Sequence, residues 1–344
     1  MRDRATGPNR TRAENDATFG FQSSREESFP TLVQLALMHY ICNSSCLKCP
    51  VGLLKRGLVE PKGEYEPARR RFFPFVLFPR VAEEMGKHPW SILRFHGRGE
   101  PLMHPHYTEM IAMAKSRGVG TVTSFTNAVL LDEEMAEKIL DARIDLLEMS
   151  VDASSEEMYR HFRGTEHFGR VVTNVERFIV ARNRRGKECK TRAIVSAVDC
   201  PEFAPEKGSF NDFWSRRADH VIFRPYHTYG GRLDAIPSAE CQPETVPCAQ
   251  LWTRFSINPW GQVNACFNDW ADRELVGDLN EPEASIEGIW RNELFEKIRK
   301  ESLDHSSTLS CCKSCLATRS GWTESYQKLI GKLQTSEPNF GLGK

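Results

Sequence analysis

The stretch Tyr40-Ile41-Cys42-Asn43-Ser44-Ser45-Cys46-Leu47-Lys48-Cys49-Pro50 constrains this chain more than any other, because it offers three thiolates from one short loop. The next cysteine is Cys189, far along the chain. A structural zinc site takes four protein ligands. An ordinary iron–sulfur cluster takes four thiolates. Three ligands leave one corner open, which suits a cluster whose fourth iron must bind something else. Free or zinc-binding cysteines are the alternative reading of the triplet taken alone.

Composition limits the setting of that loop. A chain of 344 residues is long enough for one large or two modest domains with a substantial core. Its formal net charge is zero, so no whole-protein field favours nucleic acid or an anionic membrane. Arg69-Arg70-Arg71 and the basic run at 182–185 are short, and read as solvated helix faces. No apolar run approaches the roughly 20 residues that span a bilayer. Residues 1–28 are polar, lack the apolar core of a signal peptide and read as a disordered leader. A cytoplasmic location follows as the expectation. There, thiols stay reduced, and an odd count of 11 cysteines speaks for metal or catalysis over a disulfide framework.

Between Leu32 and Arg224 short apolar runs alternate with helical patterns, the rhythm of βαβ units and a parallel sheet. Strands are expected at 32–40, 91–95, 120–125, 146–151, 191–197 and 220–223. Helices are expected at 75–85, 107–117, 133–142, 171–184 and 209–217. Asp132 and Ser155 sit where N-caps belong. Six strands suit an α/β fold with a partial (β/α)6 barrel, whose chemistry sits at the C-terminal strand ends. The cysteine loop follows the first strand and so lies at that mouth. Beyond Arg224 the chain turns Gly-, Pro- and polar-rich. Then come Cys248, a hairpin turning at Asn258-Pro259-Trp260-Gly261, Cys266, a helical stretch at 286–300, and Cys311-Cys312-Lys313-Ser314-Cys315. A last helix is expected at 322–333, with a tail at 334–344.

His96-Gly97-Arg98-Gly99-Glu100-Pro101-Leu102 follows the second strand. Glycines at a strand end permit positive φ and a close approach of backbone to ligand. With the three-cysteine loop, this segment resembles the radical S-adenosylmethionine (radical SAM) enzymes, whose Gly-Gly-Glu-Pro segment binds the methionyl amino group. Arg98 stands here at the first glycine of that quartet. The resemblance implies a [4Fe–4S] cluster on Cys42, Cys46 and Cys49, with S-adenosylmethionine held by Gly97, Gly99, Glu100 and Pro101. It adds Thr126 and Asn127, where Ala128 replaces the family's glycine, and Ser150 and Asp152 of the fourth strand. Cys248, Cys266, Cys312 and Cys315 resemble the ligands of a SPASM or shorter twitch domain, a β-hairpin plus helix that holds an auxiliary [4Fe–4S] cluster. Cys311 could replace Cys312, and an all-cysteine zinc site would use the same thiolates. The division expected is a leader at 1–30, the barrel at 31–230, the auxiliary domain at 231–320, and a helix and tail at 321–344.

Within that family the resemblance points to aminoglycoside-pathway dehydrogenases and epimerases, hence to antibiotic biosynthesis. It implies oxidation of an aminocyclitol or sugar-like alcohol, a small-molecule substrate and a flavodoxin- or ferredoxin-type electron donor. Epimerisation, or maturation of a ribosomal peptide, is the alternative. Arg224, Tyr226, His227, Tyr229 and Asp199 follow the fifth and sixth strands and are candidate substrate contacts. Arg224 or His227 could take a proton from the alcohol. Cys200 or Cys241 could return a hydrogen atom in an epimerase; a dehydrogenase needs neither.

Overall fold

The computed structural model describes residues 20–60, 70–226, 229, 233, 247–304, 306–312, 322–336 and 339. Six strands, β1 (Leu32–Leu35), β2 (Ile92–Phe95), β3 (Thr121–Thr126), β4 (Leu146–Ser150), β5 (Arg192–Asp199) and β6 (His220–Pro225), lie side by side in chain order. All their pairings are parallel. No pairing among the described residues returns β6 to β1, so the sheet is open. The crossovers carry helices Phe78–Gly86, Tyr107–Ser116, Glu133–Asp141, Phe168–Arg184 and Lys207–Trp214. The longest buries Val171, Val175, Phe178 and Ile179, one stripe at helical spacing laid against the sheet. Asp132 and Ser155 cap the helices that follow them through Met135 N and Met158 N.

β1 is not the edge of the sheet. On its free side it pairs in parallel with β7 (Arg254–Ile257), Leu32 opposite Arg254 and Leu35 opposite Ile257. β8 (Gln262–Asn264) and β9 (Leu275–Asp278) continue antiparallel, giving nine strands in the order β9-β8-β7-β1-β2-β3-β4-β5-β6. The expected hairpin thus extends the barrel sheet directly. A second bond between the two parts is polar. Arg80 donates to the carbonyls of Leu279, Glu281 and Ala284. The Glu84 carboxylate accepts from the backbone N–H groups of Ile286 and Glu287, 2.8 Å each. Those are free donors at the first turn of the helix Ile286–Trp290.

Several expectations are corrected. The first strand stops at Leu35, because the chain turns into the cysteine loop and reaches φ 52° at Tyr40. The stretch at 286–300 is two helices, Ile286–Trp290 and Glu293–Leu303, since Asn292 leaves helical geometry to cap the second through Phe295 N. Within the expected leader, the described residues 20–30 are ordered: Ser23 caps a short helix, Ser24–Ser28, and Phe29 is buried and stacked on His88. The tail is tied at Asn339, whose N–H reaches Asp219 Oδ1 and whose carbonyl accepts from Arg182. From the final helix, Trp322–Thr335, Ile330 and Leu333 close the bottom of the barrel against Leu32, Ile92, Leu146 and Ile194. That leaves the C-terminal strand ends as the open mouth. No described helix is long and apolar enough to cross a membrane.

Glu84→Ala removes two charge-assisted bonds to helix N–H groups. It is expected to destabilise the protein by about 2 kcal/mol, read as a lower denaturant midpoint. An unchanged midpoint would show that this contact does not hold the two parts together.

Candidate active site

At the open mouth the strand ends surround one cavity of ≈ 210 Å³ lined by Cys42, Cys46 and Cys49, by residues 97–101 after β2, and by Thr126 and Asn127 at the end of β3. Ser150 at the end of β4, Asp152 just beyond it, Ser196 from β5 and Arg224 from β6 complete the barrel side. Asn258, Asn264, Phe267 and Trp270 reach in from the hairpin side. Residues far apart in sequence meet here because parallel strands all present the same end.

Glu100 is buried and organises one wall. Its carboxylate accepts from Thr126 Oγ1 at 2.7 Å, Asn127 N at 2.8 Å and Leu102 N at 3.1 Å. Burial raises its pKa, against the lowering effect of those bonds and of Arg163. Gly99 is required beside it, since a Cβ there would lie 2.2 Å from the Ile41 carbonyl. That contact belongs to a bridge in which Ile41 pairs with Gly99 and Glu100 N donates to Ile41 O. The glutamate loop is therefore stitched to the residue before Cys42. Ala128 has φ 61°, the region glycine occupies freely, which explains the glycine usual at that place.

The thiols have their own supports. Arg163 Nη1 lies 3.5 Å from Cys46 Sγ, and its other nitrogen holds the Ser150 carbonyl at 2.5 Å and Asp152 at 2.8 Å. Asn127 Nδ2 donates to Asn43 Oδ1 at 2.6 Å and Ser44 Oγ at 3.1 Å and approaches Cys42 Sγ at 3.8 Å. Burial first, then the neighbouring Cys46 thiolate, raises the pKa of Cys42 and pushes Cys49 up to about 12. Thiols packed this closely resist ionising by themselves and need a cationic centre to do so. Beside them the buried Glu100 carboxylate suits an ammonium. The donor set therefore fits an iron–sulfur cluster joined to a zwitterionic amino acid.

Arg224 lines the cavity, gripped by Glu148: Nε donates to Oε1 at 2.8 Å and Nη2 to Oε2. Glu148 is fully buried on β4. Tyr226 and Tyr229 also line the cavity. Asp199 instead pairs with Lys207 at 2.7 Å and is absent from the lining. Cys200 is buried, accepts from Lys48 Nζ at 2.5 Å and is likewise absent from it. His227, Cys241 and Cys315 fall outside the described residues. On the hairpin side, Cys311 is a buried free thiol within hydrogen-bond reach of the Cys266 and Cys312 thiols, and these contacts together with burial raise its pKa. Spacing favoured Cys312, while packing draws Cys311 into contact with Cys266.

Arg163 and Glu148 escaped the sequence reading. Arg163 ends a helix before Gly164, where a basic residue ordinarily complements the helix dipole. Glu148 lay within the strand expected at 146–151, and a charge within an otherwise apolar strand was the available signal.

A partial α/β barrel with three cysteines and a buried glutamate at its mouth defines a radical SAM enzyme, with a cysteine-bearing hairpin behind it. A family model described as the Radical SAM superfamily matches residues 37–195, and one described as an iron–sulfur cluster-binding domain, SPASM, matches residues 248–316. The chain thus carries a radical SAM domain followed by a C-terminal SPASM domain. The first domain entails a [4Fe–4S] cluster and S-adenosylmethionine; the second entails auxiliary iron–sulfur binding.

The "Tungsten-containing aldehyde ferredoxin oxidoreductase cofactor-modifying protein" of Pyrococcus furiosus is 29% identical over 112 residues, 32% of this chain and 28% of that protein. The "GTP 3',8-cyclase" of Chlorobaculum tepidum is 33% identical over 88 residues, 25% of this chain and 26% of the cyclase. These matches span under a third of either relative's length. A crystal structure of BtrN in complex with AdoMet and 2-DOIA shares the fold, with TM-score 0.51 and 17% identity over 83% of this chain and 92% of BtrN.

Glu100→Gln keeps the shape of the carboxylate and removes its charge. It is expected to weaken S-adenosylmethionine binding about 10- to 100-fold, measured by equilibrium dialysis on reconstituted protein. Wild-type affinity would remove Glu100 from the binding set.

Proposed function

We propose that the chain oxidises an alcohol of an aminocyclitol or sugar-like small molecule to a ketone, its cavity holding the substrate between the cysteine loop and Arg224. In this reading Cys42, Cys46 and Cys49 hold the first cluster, and Glu100 with Gly97, Gly99, Pro101, Thr126, Asn127, Ser150 and Asp152 holds S-adenosylmethionine. Cys248, Cys266, Cys315 and one of Cys311 and Cys312 hold the auxiliary cluster. When bound, these groups supply a 5′-deoxyadenosyl radical as hydrogen-atom acceptor and a cluster as electron acceptor. An external donor of flavodoxin or ferredoxin type would supply the initiating electron.

The observation that carries this reading is the Arg224–Glu148 pair at the cavity wall. Oxidation of an alcohol to a ketone removes a hydrogen atom from carbon, a proton from oxygen and one further electron. Arginine stays protonated, so Arg224 does not itself take the proton. It donates a hydrogen bond to the alcohol oxygen and stabilises the negative charge that grows there, while Glu148 fixes its plane. The proton itself goes to a base, and His227, which follows β6 in sequence, is the residue assigned to take it. Gln34 supports a polyhydroxylated or amino ligand: it lines the cavity, and its buried side-chain oxygen has no hydrogen-bond partner among the described residues. Cys200 does not line the cavity, which disfavours it as the hydrogen donor of an epimerase.

Reconstituted protein is expected to carry about eight irons, falling to about four in Cys42/Cys46/Cys49→Ala. Incubated with S-adenosylmethionine, reductant and a panel of aminocyclitols, it should form 5′-deoxyadenosine and a ketone in equal amounts. Arg224→Met should lower ketone formation about 100-fold and leave S-adenosylmethionine affinity unchanged. About four irons in the wild type, or turnover without net oxidation, would overturn the proposal.

A further inference from the structure

Arg98 stands at the first glycine of the glutamate loop, and its backbone has kept the glycine's conformation. Its φ is 60°, a region that a side chain enters only when its surroundings hold it there. The restraint is visible. Arg98 is 4% exposed; Nη1 lies 3.0 Å from Asp272 Oδ2, Nη2 lies 2.7 Å from Asp272 Oδ1, and Nη2 also donates to the Asp269 carbonyl at 2.7 Å. Asp272 is itself left-handed, with φ 54°, so both ends of the bridge are strained.

Three chain segments meet at this arginine. Its own carbonyl accepts from Tyr40 N at 2.7 Å, two residues before Cys42. Its loop carries Glu100. Its guanidinium reaches across to the segment that follows Cys266, whose remaining bonds gather on the same two aspartates. Asn258 and Asn264 donate to Asp272 Oδ1, each at 3.1 Å, and Asp269 accepts from Asn264 and from Glu274 N. Trp270, between them, packs with Tyr40 and Val51 against Cys42 and Cys49. A surface ion pair would contribute little. This one is buried, forked and in place of a residue that would have cost nothing in backbone strain.

We propose that Arg98 is a positioning residue that couples S-adenosylmethionine binding to the loop of the auxiliary site, residues 266–272. Ligand that orders residues 97–101 also orders the arginine, and the arginine holds Asp269 and Asp272. The auxiliary loop is then firmest when the first site is filled. The inference goes beyond the alcohol-oxidation reading and requires no substrate, so it stands or fails separately.

The test is hydrogen–deuterium exchange on anaerobically reconstituted full-length protein, with and without S-adenosylmethionine, following segments 97–102 and 264–278. In the wild type, S-adenosylmethionine should slow exchange in both segments, by about fivefold in the second. In Arg98→Gly the slowing should survive at 97–102 and vanish at 264–278. Arg98→Lys should restore part of it, since a lysine can meet Asp272 but lacks the fork that also takes the Asp269 carbonyl. Protection of 264–278 in Arg98→Gly equal to the wild type, or none in the wild type, overturns the proposal. Should Arg98→Gly lose iron or fail to fold, Asp272→Asn decides by the same criterion, because it removes the charge and keeps the volume.

Discussion

The parallel pairing of β7 with β1 is the constraint on which the rest of the architecture depends. A partial barrel leaves the outer edge of its first strand open, and an open edge is a row of backbone groups seeking partners. Here that edge receives β7, so the hairpin that leads to Cys266 is fixed by ladder hydrogen bonds to the strand that leads to Cys42. Two metal-binding regions more than 200 residues apart in sequence thus share one sheet. Arg80 and Glu84 hold the following helix, Arg98 holds the loop after Cys266, and each contact builds on the geometry of that pairing.

Burial does the second part of the work. Glu100, Glu148, Arg163 and Arg98 all lie at or near the cavity with most of their surface removed from water. A buried charge is costly unless hydrogen bonds or a partner offset it. Each of these has its set: Glu100 two backbone N–H groups and a threonine hydroxyl, Glu148 a forked arginine, Arg163 an aspartate and a carbonyl, Arg98 an aspartate and a carbonyl. The result is a mouth whose charged groups are partnered with one another and aimed at one cavity. That favours chemistry in which a reactive radical must meet one bond and no other.

How far the site was legible depended on whether its residues are contiguous in sequence. Cys42, Cys46 and Cys49, and the Gly97–Glu100 segment, are local patterns whose chemistry shows in their spacing, and the structure brings both to one cavity. Cys200 and Asp199 were also at a strand end, as read, yet they do not line the cavity: Asp199 is paired with Lys207 and Cys200 accepts from Lys48. Arg163 carried no local signal. It lies at the end of an ordinary amphipathic helix, and only the approach of that helix to Cys46 gives it a role.

By itself the sequence determined the α/β rhythm, the capped helices, the hairpin turn at Asn258-Pro259-Trp260-Gly261 and the thiol loop after the first strand. Each follows from interactions between near neighbours in the chain. Tertiary structure alone decided that the hairpin would extend the barrel sheet, that Arg224 would be held by Glu148, and that Arg98 would bridge to Asp272. Those outcomes depend on which buried groups find partners across long loops. No spacing along the chain encodes such a match until the strands have set the distances.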